Sequence, residues 1–349
     1  MSLNKAVQKY FSNVFVSVIR YSSEWQLYAK VIKNGALVKK FSKVFPSESD
    51  EVLGKDLENY IDELYDGYHF VYVAFFLNSM GQGALKGISN ADFEKNSIDI
   101  KNVTSLKFED KFSIYASYID INWARNIFKN VGLDFIFSPF CLTYNLLLNN
   151  ATSQTRALYL LNHEDFISIS VYEGKELLFG SFFKTSTNEN LVAGEEIDNW
   201  DEAEDEKGVS NLIELDSIEE DSGEFSSLED LDDLNDLDSS QNEASEATFS
   251  DLDEEEKTLG HFSTPDESSL ELFGRELLVY KYLFSSIKEF YHNDLYESDF
   301  IEKIVIFDGY EVSSDLIELI ENELMMDIEL HKIDLGESIC DMAMKEIKL

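Results

Sequence analysis

The N-terminal part of the chain alternates apolar and polar residues in the pattern of an antiparallel β-meander. Residues 13–20 form an apolar, β-branched run, and every second residue over 25–31 is then apolar, which is the period of a half-buried strand. Asn34-Gly35, a dipeptide typical of tight hairpins, leads into a returning strand over residues 36–45. The pattern therefore predicts three strands joined by short turns.

The same order of strands and turns recurs further along the chain. It consists of strands over residues 157–161, 166–172 and 175–183, a polar turn at 162–165 and the turn Glu173-Gly174. The turn glycines Gly35 and Gly174 lie 139 residues apart. This spacing indicates the duplication of a whole lobe, because short solenoid repeats have much smaller periods.

Helical and strand patterns alternate after each meander, as in an α/β protein. Helices are predicted near 53–67, 140–149 and 314–324, and strands near 69–77, 111–119, 133–137, 301–307 and 327–333. Asp120 is the predicted N-cap of a further helix that is stopped at Gly132. Residues 79–110 are predicted to be irregular, with loops at Gly81, Gly83 and Gly87.

The clearest amphipathic stripe in the chain follows a capping box at Ser268 and Glu271. We expect this helix to pack on a sheet through apolar residues at alternating spacings of three and four. The stripe comprises Leu270, Phe273, Leu277, Tyr280, Phe284, Ile287 and Tyr291.

The net charge of −41 is concentrated in one segment. Residues 195–267 hold 29 acidic residues and two lysines without a sustained apolar period, so we predict a disordered acidic insertion over 190–267. Its leucines recur every three residues among aspartates, either as part of a solvated spacer or as a short helix that folds on a basic partner. They are Leu228, Leu231, Leu234 and Leu237. Charge of this sign argues against direct binding to nucleic acids or anionic lipids.

The few cysteines and histidines argue against metal or disulfide chemistry. Cys141 and Cys340 suggest a reducing compartment, and the five histidines are far apart in the sequence. The longest apolar run, residues 70–77, is eight residues long, whereas about 20 are needed to span a bilayer. We therefore expect a cytoplasmic protein that reaches a membrane only through a partner.

Two meanders, each followed by alternating helices and strands, resemble the lobes of actin-like ATPases. Within that superfamily the chain resembles PilM-type proteins and the cytoplasmic domains of GspL proteins of type II secretion. The stretches that carry the resemblance are residues 131–137, the helix 140–149, the meander 157–183 and the segment 301–309. The resemblance implies a two-lobed α/β fold of the actin-like, ribonuclease-H-like kind.

The resemblance also implies a division of the chain into lobes. Residues 1–150 would form the first lobe, with an inserted subdomain within 46–119, and residues 151–189 with 268–335 would form the second lobe. The acidic insertion at 190–267 would interrupt the second lobe, and residues 336–349 would be a C-terminal tail.

In actin-like ATPases, two hairpin turns hold the phosphates through glycines and aspartates, and a glycine-rich loop binds adenosine. This sequence has Ser22 and Ser23 at the first turn, Glu164 and Asp165 at the second, and only Gly309 in the third loop. Side chains would fill the space that phosphates need, and the acidic ones carry the wrong sign. We therefore predict a degenerate site with no cofactor, no metal and no ATPase activity.

The resemblance implies a scaffold that holds the short cytoplasmic tail of a PilN-like inner-membrane protein in a pilus, secretion or flagellar-motor assembly. PilO-like proteins and a ring of identical copies are further expected partners, and a groove near residues 46–119 would take the tail. The alternatives are an active actin-like ATPase that forms filaments, and an acidic adaptor that acts through its insertion.

Overall fold

The computed structural model describes residues 10–47, 52–150, 155–185, 267–296 and 298–348, with only the backbone described at 150, 267–271 and 273. The acidic insertion predicted over residues 190–267 therefore lies outside the described residues, except for the backbone of its last residue. The leucines at 228, 231, 234 and 237 also lie outside them.

The first lobe is built on the predicted N-terminal meander. Its strands are β1 (Asn13–Arg20), β2 (Glu24–Lys33), β3 (Ala36–Pro46), β4 (Phe70–Phe76) and β8 (Phe135–Phe137), in the order β3-β2-β1-β4-β8. The first three strands are antiparallel, and β4 runs parallel to both β1 and β8. Helix α1 (Lys55–Gly67) packs on one face through Leu57, Ile61 and Leu64, as its apolar stripe predicts.

The second lobe repeats this sheet. Its strands are β9 (Arg156–Asn162), β10 (Phe166–Glu173), β11 (Glu176–Lys184), β12 (Lys303–Asp308) and β13 (Asp327–Lys332), in the order β11-β10-β9-β12-β13. Three antiparallel strands are again followed by two parallel ones. The hairpin glycines Gly35 and Gly174 both have positive φ. The predicted duplication and the actin-like, ribonuclease-H-like two-lobed fold are therefore confirmed.

A third sheet stands where the sequence pattern predicts loops. Strands β5 (Gln82–Lys86), β6 (Val103–Phe108) and β7 (Phe112–Ser117) pair in the order β5-β7-β6, with the short helix α2 (Asn90–Lys95) between β5 and β6. The loop prediction for residues 79–110 is therefore wrong. At Gly83 a Cβ atom would collide with the ring of Tyr115, so this glycine permits close packing inside a strand instead of marking a flexible loop.

Helix α3 (Tyr118–Ile127) begins one turn earlier than predicted. Its N-cap is Ser117, whose hydroxyl accepts a hydrogen bond from the Asp120 N–H at 3.1 Å. The assignment of Asp120 as N-cap is thus wrong, because the serine that closes β7 already satisfies that amide. Gly132, at φ +86°, follows the helix after a short turn.

The long helix α5 (Glu267–His292) packs on the second sheet through only part of the predicted stripe, since Ile287 is buried and Tyr280 and Tyr291 are partly buried there. Leu277 is 53% exposed and Phe284 is 49% exposed, whereas Val279, Leu283 and Phe290 are buried. The helix carries large apolar residues on most of its circumference, so the spacing of the largest ones does not fix the face that contacts the sheet. Helix α6 (Ser314–Leu324) packs beside it through Leu316 and Ile320.

The chain returns to the first lobe after β13. Helix α7 (Leu335–Ile347) lies, apart from its first residue, within the region 336–349 that was predicted to be a C-terminal tail, and it packs against β1 and β2. The Ser17 hydroxyl donates to the Gly336 carbonyl at 2.9 Å. The Lys30 ammonium lies 2.6 Å from the Asp341 carboxylate and 2.9 Å from that of Glu337, and it lowers the pKa of Glu337. Helix α4 (Pro139–Asn150) shares a hydrophobic cluster with both lobes.

Candidate functional site

The two hairpin turns predicted to be degenerate meet between the lobes. Each turn is a two-residue loop, closed by backbone hydrogen bonds of 2.8 Å from Tyr21 N–H to the Glu24 carbonyl and 3.0 Å from His163 N–H to the Phe166 carbonyl. Ser22 of the first loop donates its hydroxyl hydrogen bond to the Asp165 carboxylate of the second. The structure therefore brings Ser22 and Asp165 into direct contact across the cleft, with no space left between these two side chains.

A stack of aromatic rings stands behind this contact. The His163 ring lies between those of Tyr21 and Phe166, with centroid distances of 4.7 Å and 4.5 Å. His163 Nδ1 accepts a hydrogen bond from the Asp165 N–H at 3.1 Å, so the neutral ring carries its proton on Nε2. Burial, and to a smaller extent the charges of Arg275 and Lys184, lower the pKa of His163 to about 3. The ring is therefore uncharged at neutral pH.

This buried neutral histidine gives the fold a pH dependence. Its pKa is about 3 when folded and 6.5 in its ordinary state, so the unfolded chain takes up the proton first and stability falls as the pH drops below 6.5. We expect wild type to lose about 2 kcal/mol more unfolding free energy than His163→Phe between about pH 7.5 and about pH 5. Urea denaturation at both pH values measures the difference. Equal losses in the two proteins would contradict a neutral, buried His163.

Arg275 of α5 holds the second turn in place. Its guanidinium donates hydrogen bonds to the Asn162 side-chain oxygen at 2.6 Å, to the Glu164 carbonyl at 2.9 Å and to the His163 carbonyl. It also lies 4.9 Å from the centre of the Tyr310 ring. Arg275 is 7% exposed, so its charge is satisfied by backbone and amide oxygens within the protein. The sequence does not predict a role for this residue, because a single arginine on a long helix carries no recognisable signal.

Gly309 follows β12 and serves close packing. Its N–H donates to the Asn162 carbonyl at 3.0 Å. A Cβ atom at this position would lie 2.7 Å from Leu335 Cδ1 of α7 and 3.1 Å from the Asn162 oxygen. The structure thus uses this glycine to let α7 approach the end of β12, and the Gly309 amide already has an acceptor in the protein.

The backbone amides that follow Gly309 are also occupied, by carboxylates of the protein itself. Asp308 accepts hydrogen bonds from the Tyr310 and Val312 N–H groups, both at 3.1 Å. Glu276 accepts from the Ser313 N–H at 2.9 Å and from the Ser313 hydroxyl at 2.7 Å. Loop and helix-terminal amides of this kind bind anions. Here the carboxylates of Asp308 and Glu276 accept the hydrogen bonds that a bound anion would accept.

What remains of the cleft is a cavity of about 590 Å³ with acidic walls. The acidic residues Glu24, Glu164, Asp308 and Glu311 line it, and among the described residues of the lining Lys332 is the one cation. Burial, and then the neighbouring charges of Asp165 and Glu24, raise the pKa of Glu164. A polyphosphate entering this cavity would meet charges of its own sign at short range. The described residues contain no group of His, Cys, Asp and Glu placed to hold a metal ion.

Four of the five residues named from the sequence for this site therefore contribute to it by contact or lining: Ser22, Glu164, Asp165 and Gly309. Ser23 lies in the same first loop. Tyr21, His163 and Arg275 were not predicted to belong to the site. The rings of Tyr21 and His163 stack behind the two turns, and Arg275 donates hydrogen bonds to the second turn. Among the described residues, no helix combines the length and apolarity needed to cross a bilayer.

A second cavity of about 270 Å³ lies in the first lobe and is lined partly by residues of the segment 46–119, near which a groove was expected. Its walls come from β6 and β7, from α3 and from the segment around β8. Strands β6 and β8 each end a sheet, so both present backbone groups that no further strand in the described part of the chain pairs with. The apolar residues Leu106, Leu133 and Ile136 line the cavity together with Arg125 and Asp134.

Comparison with known proteins relates the two lobes to two families. A family model described as a domain of unknown function (DUF8341) matches residues 158–348, and another, also described as a domain of unknown function (DUF8569), matches residues 11–144. No curated protein sequence matches the chain.

Three solved structures are similar over nearly the whole chain. A Bacteroides thetaiotaomicron protein with an actin-like ATPase fold and unknown function is 10% identical, with 98% of this chain and 99% of that one covered and a TM-score of 0.43. PilM in the PilM–PilN type IV pilus biogenesis complex is 11% identical (91% and 88% covered, TM-score 0.47). The ethanolamine utilisation protein EutJ from Carboxydothermus hydrogenoformans is 8% identical (94% and 89% covered, TM-score 0.41).

Proposed function

Because the chain belongs to the DUF8341 family, a domain family of unknown function, we propose its function from its own geometry. The protein is an actin-like scaffold that does not hydrolyse ATP and that holds a segment of a partner protein. The observation that carries this proposal is the contact between Ser22 and Asp165 across the cleft.

The surroundings of that contact support the same function. A nucleotide bound between the lobes would need its phosphates near both hairpin turns, and these touch each other through their side chains. It would also need free amides after β12, and carboxylates of Asp308 and Glu276 already accept hydrogen bonds from those of Tyr310, Val312 and Ser313. The protein's own groups therefore occupy the positions that the phosphates of a nucleotide would need.

Nucleotide binding tests this proposal in solution. Labelled ATP with magnesium, titrated into the full chain, is expected to show no saturable binding up to about 1 mM, because Mg²⁺ has no ligand cluster to join and the cavity repels phosphate. An actin-like ATPase of known activity serves as the positive control under the same conditions. Saturable binding in the micromolar range would overturn the proposal.

We place the partner segment in the groove of the first lobe, lined by Leu106, Arg125, Leu133, Asp134 and Ile136. An extended peptide can add to the edge strand β6 or β8 and bury its apolar side chains between them. Following the resemblance to PilM-type proteins, we propose that the occupant is the cytoplasmic tail of a PilN-like membrane protein. The chain would then be cytoplasmic and would reach the inner membrane through that partner.

Site-specific photo-crosslinking tests this placement. A photoreactive amino acid in place of Leu106, which is 59% exposed, is expected to crosslink a single-pass membrane protein in cells of the source organism. The matched control is the same amino acid at Met325, which is 90% exposed and lies in the second lobe. Mass spectrometry identifies the product. The proposal fails if position 106 captures no membrane protein, or if positions 106 and 325 capture the same proteins.

A further inference from the structure

The strand β3 is an exposed edge of the first sheet. It has eleven residues, and all of them except Phe41 and Phe45 are exposed. Because β3 ends the order β3-β2-β1-β4-β8, alternate N–H and C=O groups along it point away from β2, and no strand of the described residues pairs with them. Three apolar side chains accompany these groups: Leu37 is 52% exposed, Val38 is 62% exposed and Val44 is 50% exposed.

The charge of this strand is opposite to that of the protein. Between Glu24 and Glu48 the sequence has five lysines and no acidic residue, in a chain of net charge −41. Two of these lysines, Lys30 and Lys40, pair with carboxylates of α7.

The other three lysines of this stretch, Lys33, Lys39 and Lys43, make no ion pair with any carboxylate in the described part of the chain. The Lys43 ammonium lies 4.3 Å from the centre of the Tyr60 ring and 4.8 Å from that of Phe45, and the Lys39 ammonium lies 5.0 Å from that of Phe41. The aromatic rings thus hold two cations beside the free edge.

The other edges of the two five-stranded sheets differ from β3. Strand β11 is covered, since a Cβ atom at Gly180 would lie 2.7 Å from the Ala84 carbonyl oxygen of β5. Strand β8 has three residues, and β13 has six, among them Asp327 and Glu329. Pairing of β3 with a second copy of itself would place lysines against lysines, which is unfavourable.

We propose that β3 binds an extended, acidic segment of a partner protein by strand addition, at a site separate from the groove between β6 and β8. The partner's backbone would pair with the free edge of β3. Its carboxylates would approach Lys33, Lys39 and Lys43, and its alternate apolar side chains would cover Leu37, Val38 and Val44. This is an interaction surface of the first lobe that does not depend on the nucleotide cleft.

A synthetic probe tests this surface on the full chain. The probe is a fluorescent decapeptide of alternating Glu and Val, and its controls are the Lys-Val counterpart and a Glu-Val peptide with alternate backbone nitrogens methylated. We expect saturable binding of the Glu-Val peptide in low-salt buffer and slower amide hydrogen exchange over residues 36–46. Lys39→Glu/Lys43→Glu should weaken binding about tenfold. The same change at the exposed lysines Lys95 and Lys101 should alter it less than about twofold.

If the Glu-Val peptide does not bind, the proposal is wrong. The lysines would then serve only to discourage the pairing of β3 with other strands. Equal binding of the Lys-Val peptide, or of the methylated peptide, to the wild-type chain would overturn the proposal without reliance on any variant. Slower exchange confined to residues outside β2 and β3 would overturn it as well. None of these outcomes bears on ATP binding or on the groove near Leu106.

Discussion

Replacing Arg275 with methionine is expected to lower the free energy of unfolding by about 3 kcal/mol, because it removes three charge-assisted hydrogen bonds in a buried site. Methionine preserves much of the length of the side chain but has no donor. The Asn162 side-chain oxygen and the carbonyls of His163 and Glu164 would then lose the donor that Arg275 provides. The second turn would then no longer be fixed against Ser22. Denaturant unfolding, followed by tryptophan fluorescence, measures the loss.

The matched control for this change is Arg125→Met. Arg125 lies on the exposed side of α3, and its substitution should change the unfolding free energy by less than about 0.5 kcal/mol. A loss below about 1 kcal/mol for Arg275→Met would show that water or another donor satisfies the turn carbonyls. The hydrogen bonds of Arg275 would then not be what holds the second turn in place.

The same glycine-to-alanine change is expected to act in opposite directions in two helices. At Gly336 of α7, a Cβ atom would lie 2.6 Å from Tyr28 Cβ and 3.0 Å from Tyr28 Cγ. The helix would have to move away from β2, and overpacking of this kind costs about 1–3 kcal/mol. At Gly274 of α5, no described atom outside the helix's own backbone and the two adjacent residues lies within 4 Å of an added Cβ. Alanine should stabilise that helix by about 0.5–1 kcal/mol, because it restricts the unfolded chain.

The two variants control for each other, since the chemical change is identical and both sites are helical. Thermal unfolding of each variant, compared with wild type, gives the sign of the change in stability directly. If Gly336→Ala were neutral or stabilising, α7 would not be docked closely on Tyr28. The contacts between α7 and the first sheet would then not be fixed. These contacts are the hydrogen bond from Ser17 to the Gly336 carbonyl and the ion pairs of Lys30 with Glu337 and Asp341.

The two meanders could be predicted from the sequence because the signals that specify them lie close together along the chain. Each meander is specified by period-2 alternation and by a turn that needs positive φ, at Gly35 and at Gly174. Both signals can be read without knowing which strands become neighbours. The parallel additions of β4 and β12 then follow from apolar runs that are buried on both faces.

Elements fixed by distant contacts could not be read in this way. Gly83 was taken as a sign of a loop, yet its lack of a side chain makes room for Tyr115 on a neighbouring strand. Leu277 and Phe284 were assigned to the core because of their size and spacing. The buried positions of α5 are instead Val279, Leu283, Ile287 and Phe290, together with the polar residues Arg275, Glu276 and Ser286.

The sequence prediction for the site depended on the glycines and aspartates that the turns lack, and it named none of the contacts between the turns. The lack of glycine and the presence of Glu164 and Asp165 at the second turn indicated that phosphates would not fit. The partner of Asp165 could not be named, because Ser22 is 143 residues away along the chain. Likewise, Asp308 and Glu276 reach the amides after β12 only once α5, α6 and β12 are assembled.

Crystals of the full chain grown with magnesium and a non-hydrolysable ATP analogue test the central claim most directly. We predict a cleft without nucleotide, in which the Ser22 hydroxyl still contacts the Asp165 carboxylate and Asp308 still accepts the Tyr310 and Val312 amides. An analogue bound between the two hairpin turns, with Ser22 and Asp165 moved apart to admit its phosphates, would contradict the account.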